Sequence, residues 1–228
     1  MMTPDLANNT QIELPSAKDI ERYKQRCEIA IPFNQKLIEQ LPKSAIKECA
    51  KKLGLLQRNT LVFSCEDEVS VLMDYCLFHF RINKVNIISR YLLMSPPEKD
   101  SIEMELLETM QKAYYSLLIV KKVFQNKGVL VFDFISEKDI FLIDLGLSNS
   151  ADAGMMFASH IIPIGQFYRT SGAMLPIPAS LLKDEIASIV KKFFTKNDIL
   201  SPAQEALFAA QVIRAALKAD VMENVRYQ

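Results

Sequence analysis

The chain has 228 residues, 50% hydrophobic and 24% charged, with 27 basic side chains against 27 acidic ones and a sequence pI near 6.7. This is the composition of a globular protein able to bury a large core, and it excludes disordered and fibrous classes. The balanced charge argues against nucleic acid as a partner, whose usual footprint is a strongly basic domain.

Residues 1–14 read as a loose polar arm, without the positive start and apolar run of a secretion signal. Asp74, His79 and Arg81 interrupt the most hydrophobic stretch, so none reaches the roughly 18 apolar residues of a membrane span, and a soluble cytoplasmic protein is expected. Ser16, with Asp19 three residues on, predicts the start of a helix that Pro32 should stop near residue 31, followed by a short helix over 34–40. Lys43–Leu53 reads as a third helix closed by Gly54. Residues 60–64 read as a brief strand entering a helix with Glu66, Asp67 and Glu68 in its first turn, where the helix dipole favours negative charge. That helix is apolar nearly all round, and Asp74 within it needs a partner. Another helix is predicted over 85–93, and Ser101 should cap a long one over 102–125, striped by Met104, Leu107, Met110, Ala113, Tyr114, Leu117 and Val120.

The extended sequence comes next. Residues 129–135 and 140–145 flank the polar turn 136–139, and 155–162 and 167–171 flank a turn at 163–166, predicting two hairpins in a meander or a small barrel. Leu130, Phe132 and Phe134 alternate with Val129, Val131, Asp133 and Ile135, so both faces are largely apolar and the sheet should be covered on both sides. An amphipathic helix is predicted over 180–195. Ser201, Pro202 and Gln204 supply the cap, first-turn proline and capping-box residue of a last helix, whose face of Ala206, Ala209, Ala210 and Ala216 suits close packing inside the chain or on a second copy. The expectation is an α+β fold in a single domain over 15–228: a helical layer at 15–126, a central mainly antiparallel sheet at about 128–175 within the segment 128–178, and two C-terminal helices over 180–222.

Chemistry is sparser. Cys27, Cys49, Cys65 and Cys76 lie 22, 16 and 11 residues apart, without the close spacing of a zinc site, and read as free buried thiols. Asp144-Leu145-Gly146 is similar to the magnesium-binding segment of protein kinases, but no catalytic loop precedes it and a strand end with a glycine turn explains it. Asp133, Glu137, Asp139 and Asp144 crowd one hairpin and offer a divalent-ion site for phosphate-ester chemistry, although turn positions account for Glu137 and Asp139. His160 and His79 have no serine-hydrolase or zinc-peptidase spacing around them. Arg169 is the natural anion ligand, with Ser171 beside it, and an internal salt bridge to Asp133 or Asp144 is the competing use. The candidate ligand-binding set is therefore Asp133, Asp144, His160, Arg169 and Ser171, with neither metal nor cofactor expected.

The order of strand, acidic turn, strand with Asp144, an Asp152-Ala153-Gly154 loop, the run from Phe157 to Gly165 and a Ser171-Gly172 turn resembles a β-rich module of uncharacterised bacterial proteins, some of which carry an SEC-C zinc motif. The resemblance covers residues 125–180 and implies a fold without an activity. No cysteine-rich segment follows Pro178, which removes any implied zinc, and His160 stands where the module has an arginine. The functional expectation is a non-enzymatic binding or assembly module, meeting a protein partner or itself through the C-terminal helix. The alternative is a metal-dependent phosphate-ester enzyme using Asp133 and Asp144.

Overall fold

The computed structural model describes residues 13–194, 199–219 and 221, so most of the expected N-terminal arm and the end of the expected last helix lie outside the described residues. Helix α1 (Ala17–Glu39) begins at Ser16 with the full capping box to Asp19. It does not stop at Pro32. The proline leaves only the carbonyl of the exposed Glu28 without its intrahelical bond, while Ala30, Phe33 and Leu37 bury one stripe on both sides of it and hold the helix together. Helix α2 (Lys43–Leu53) ends at Gly54 in the left-handed conformation, as predicted.

Two tight hairpins follow, one in place of an expected strand and one just ahead of the helix expected over 85–93. β1 (Leu56–Gln57) and β2 (Thr60–Leu61) turn at Arg58-Asn59, so the strand expected over 60–64 is only a stub. β3 (Arg81–Ile82) and β4 (Val85–Asn86) turn at Asn83-Lys84. In both turns the two central residues have positive φ, the geometry whose twist suits two-residue hairpins. Between them lies α3 (Glu66–His79), with its three acids in the first turn, and after them α4 (Ile87–Met94), capped by Asn86.

Ser101 caps α5 (Ile102–Met110), but the long helix predicted over 102–125 ends there. Residues Tyr114–Phe124 form strand β5 instead. Their apolar side chains fit a helical stripe by spacing, yet their β-branched and aromatic content suits a strand, and two neighbours take up their backbone groups. Leu118 and Ile119 pair on one edge with Asp133 and Phe132 and on the other with Phe157 and Met156.

The remaining strands are β6 (Gly128–Asp133), β7 (Lys138–Leu142), β8 (Met156–Ile164), β9 (Phe167–Thr170) and the short edge strand β10 (Leu175–Pro176), with the short helix α6 (Leu147–Ser150) between β7 and β8. Both predicted hairpins are present. The sheet runs β10-β8-β5-β6-β7-β9, and β9 pairs back onto β8, closing a five-membered ring of strands. Every pairing is antiparallel except β7 with β9, so the expected mainly antiparallel sheet is a closed mixed barrel that begins at residue 114 rather than 128. This connectivity, with one helix between the third and fourth barrel strands, is that of the five-stranded OB barrel.

Val120, Val129, Val131, Ile140, Leu142, Phe157 and Ile161 fill the barrel, and Leu147 of α6 closes one end. Gly128 is required where β6 enters: at φ +145 it lies so close to β7 that a Cβ would come within 2.0 Å of the Leu142 carbonyl oxygen.

The helices cover one side of the barrel. After α7 (Ala179–Leu181) the chain makes a π-helical turn over Leu182–Ile186 and continues as α8 (Ala187–Phe193), then α9 (Pro202–Lys218), which starts with the predicted capping box and proline. The alanine-rich face of α9 is spent inside the chain: Ala206, Ala209, Ala210 and Ala216 are buried where α9 meets α2, α3 and β5. None of the described helices is long and apolar enough to cross a membrane.

Candidate functional site

The five residues singled out from the sequence fall into three separate environments. Asp133 ends β6 at one mouth of the barrel and is fully buried. Its carboxylate accepts from the Tyr114 hydroxyl (2.7 Å), the Ser116 hydroxyl, the Ser136 hydroxyl (2.8 Å) and the backbone N–H groups of Ile135 (2.9 Å) and Ser136 (3.3 Å). Donors so complete make it a clamp that ties β5 to the β6–β7 turn. The neighbouring carboxylate and burial push the Tyr114 hydroxyl well above its ordinary value, burial being the larger cause.

Asp144 lies at the other mouth. Asp133 is opposite Lys138, and Asp144 is six residues further along, a separation of about 20 Å in extended chain. The two carboxylates cannot share an ion, which overturns the metal-dependent reading built on them. Among the described residues no group of three or more histidine, cysteine or acidic side chains is placed to hold a metal. Asp144 instead shapes the turn into α6, accepting from the Leu147 N–H (2.9 Å) and the Thr170 hydroxyl (3.2 Å). Burial raises its pKa against the opposing effect of these bonds.

Arg169 makes neither expected salt bridge. It is buried between β9 and α1, where Nη1 donates to the Thr170 carbonyl (3.3 Å) and Nε and Nη2 have no partner among the described residues. Tyr23, Cys27 and Arg26 of α1 surround it closely enough to act on its charge. Burial lowers its pKa and raises those of Tyr23 and Cys27. The Ser171 hydroxyl is likewise without a partner among the described residues.

His160 lies on the outer side of β8 and meets α3. Its Nδ1 is 2.5 Å from Asp74 Oδ2 and its Nε2 is 2.9 Å from His79 Nε2. With both rings neutral, the contacts are satisfied when Nδ1–H of His160 donates to Asp74 and Nε2–H of His79 donates to His160, which leaves His79 Nδ1 as a bare acceptor. Phe78 stacks on the His160 ring at 4.2 Å and Tyr115 meets its edge at 5.0 Å, and both imidazoles are buried from water. Burial, then the His160, Arg81 and Lys52 charges, holds His79 well below the ordinary histidine range. Asp74 and both histidines were visible in the sequence as polar residues in apolar surroundings, but nothing in their spacing showed that they meet.

What sequence reasoning missed is the solvent-facing side of the barrel. Alternation points Phe124, Leu130, Phe132 and Phe141 outward from β5, β6 and β7, with Phe134 just beyond β6. Phe132 and Phe134 meet edge to face at 5.2 Å. Phe124, Phe141 and Phe167 continue at 5.5 and 5.9 Å. Lys121 and Lys122 lie over Phe132 and Phe124, at 5.6 and 5.0 Å from the ring centroids. Phe167 then forms one wall of a cleft of about 350 Å³ between α1 and the β8–β9 turn, lined also by Asp19, where Arg22 and Arg26 both pair with Glu105. Leu130, Phe132 and Phe134 share a face by sequence alone, but that face was expected to be covered and is partly open; Phe124 and its lysines join it only once β5 is read as a strand.

A family model described as a family of unknown function (DUF7986) matches residues 17–208. No curated protein and no solved structure matches the chain.

Proposed function

The chain belongs to this family of unknown function, and we propose that it is a non-enzymatic binding module that takes an extended anionic ligand on the solvent-facing side of its barrel. The observation that carries the reading is the unequal placement of its functional groups. Asp133 and Asp144 are committed to backbone and hydroxyl donors, and Asp74, His160 and His79 to one another. The outward face instead presents Lys122 to solvent beside half-buried phenylalanines, and leads to a cleft where Arg22 and Arg26 lie with Asp19 and Glu105. Arg169, buried near Arg26, has no salt-bridge partner among the described residues. Lys122 is thus left without an acidic partner among the described residues, and local potential governs encounter with a charged partner. For residues 125–180, the resemblance to the bacterial β-rich module extends the proposal to a shared barrel.

Immobilised heparin, a generic polyanion, tests this. At pH 7.5 and low salt the protein is expected to be retained and to elute as salt rises, whereas Lys122→Glu combined with Arg22→Glu passes through. Wild-type protein in the flow-through would sink the proposal.

A further inference from the structure

A groove opens in the helical layer between α1, the end of α4 and the loop into α5, and no barrel strand lines it. We infer that it docks a basic segment of a partner protein, held in extended form with an apolar side chain in the floor and arginine or lysine at the rim. This inference does not rest on the anionic-ligand reading of the barrel.

The floor is apolar and already formed. The groove holds about 650 Å³, more than the cleft beside Phe167. Phe33 and Tyr91 are each 6% exposed and meet edge to face at 5.6 Å, which fixes both rings. Pro32, Pro96 and Pro97 wall them, and proline has little backbone freedom to lose when a ligand arrives. Apolar surface continues at both walls: Ile31, next in sequence to Pro32, is 74% exposed, and Leu93 and Met94, just ahead of Ser95, are 78 and 75% exposed. Large apolar side chains bared on both sides of a cleft mark an interaction surface.

The rim selects the charge of the occupant. Glu28, Glu98 and Glu103 line the groove, and among the described residues none of them is in a salt bridge. Lys36 is the one cation in the lining, and its ammonium lies over the Tyr91 ring, 5.5 Å from the centroid. Three carboxylates against one ammonium leave a negative excess. Lys99 and Asp100, further along the loop, offset one another, and Arg90 does not line the groove. Pro32 adds one more acceptor, because it has no N–H to give the carbonyl of Glu28, and both residues line the groove.

Carboxylates and a bare carbonyl around an apolar floor call for donors, which guanidinium and ammonium groups supply. A polyamine would satisfy the rim and leave the floor uncovered, whereas a segment with apolar side chains between its charges matches both. The chain's own residues 1–12 carry Asp5 and no lysine or arginine, so they do not complement this rim.

The test is fluorescence anisotropy at about 150 mM salt, where exposed charges are screened beyond roughly 8 Å. The probe is a labelled peptide of about eight residues alternating arginine and leucine, roughly 26 Å when extended. Peptides alternating arginine with serine and glutamate with leucine are the controls. The arginine-leucine peptide is expected to bind at least about tenfold tighter than the arginine-serine one, and the glutamate-leucine peptide not to bind. Glu28→Gln, Glu98→Gln and Glu103→Gln combined should weaken binding at least about tenfold with an unchanged melting temperature. Ser95→Arg, a like charge at an exposed lining position, should weaken it as well, and Lys122→Glu on the barrel face should not. No binding of the arginine-leucine peptide, equal binding of the arginine-serine peptide, or glutamine variants that bind as wild type overturn the proposal. Wild-type protein that light scattering finds dimeric, that Leu93→Ser with Met94→Ser makes monomeric and that ignores the peptide gives this face to a second copy, and overturns it too.

Discussion

The barrel has two outer sides built from the same alternating strands, and they have opposite fates. On the side of β8 and the first half of β5, Tyr115, Ala158, His160 and Ile162 are buried against the helical layer. On the side of β6, β7 and the second half of β5, Phe124, Phe132 and Phe134 stay within reach of water, with lysines above the first two. A polar residue must find a partner on the first side and can remain hydrated on the second. His160 accordingly recruits Asp74 and His79, while Lys122 needs nothing.

The covered side should respond most strongly to substitution. Asp74→Ala removes the acceptor from a buried imidazole N–H and is expected to cost about 2–3 kcal/mol in urea unfolding. A loss below about 0.5 kcal/mol would mean that the covered side tolerates an unpaired donor as the open side does.

Acid should separate the two sides next. His79 stays neutral in the fold but titrates near 6.5 when unfolded, so below about pH 6.5 the unfolded chain binds a proton that the folded one refuses. Stability contributed by this group is therefore complete above that pH and declines as pH falls below it. In melts from pH 7.5 to 5.5, His79→Gln should flatten the decline relative to wild type.

The smallest effect belongs to the open side. Phe134→Ala is expected to change unfolding free energy by less than about 1 kcal/mol, because its ring is already 38% exposed. A larger loss would show that this face is structural and weaken its assignment as a ligand surface.

The local signals in the chain were dependable. Ser16 with Asp19, Ser101, and Ser201 with Gln204 cap the helices they were expected to cap, Gly54 ends α2, and the polar turn after Asp133 joins the predicted hairpin. Each depends on residues within a few positions of one another, so the sequence by itself determines them. The expectation of buried free thiols holds for Cys49 and Cys76, whereas Cys27 and Cys65 are only partly buried.

Other features were decided by tertiary structure alone. Residues 114–124 satisfy both a helical stripe and a strand's composition, and only pairing with β6 and β8 on its two edges settles the choice. Pro32 breaks a helix in isolation, yet α1 passes through it because Phe33 and Leu37 are buried beyond. Asp133 and Asp144 looked like one site and stand at opposite mouths of the barrel, while Asp74 and His160, 86 positions apart, touch. Backbone propensity and capping act over a few residues, but which distant groups meet depends on how whole elements pack, and that is set by burial of surface rather than by any local pattern.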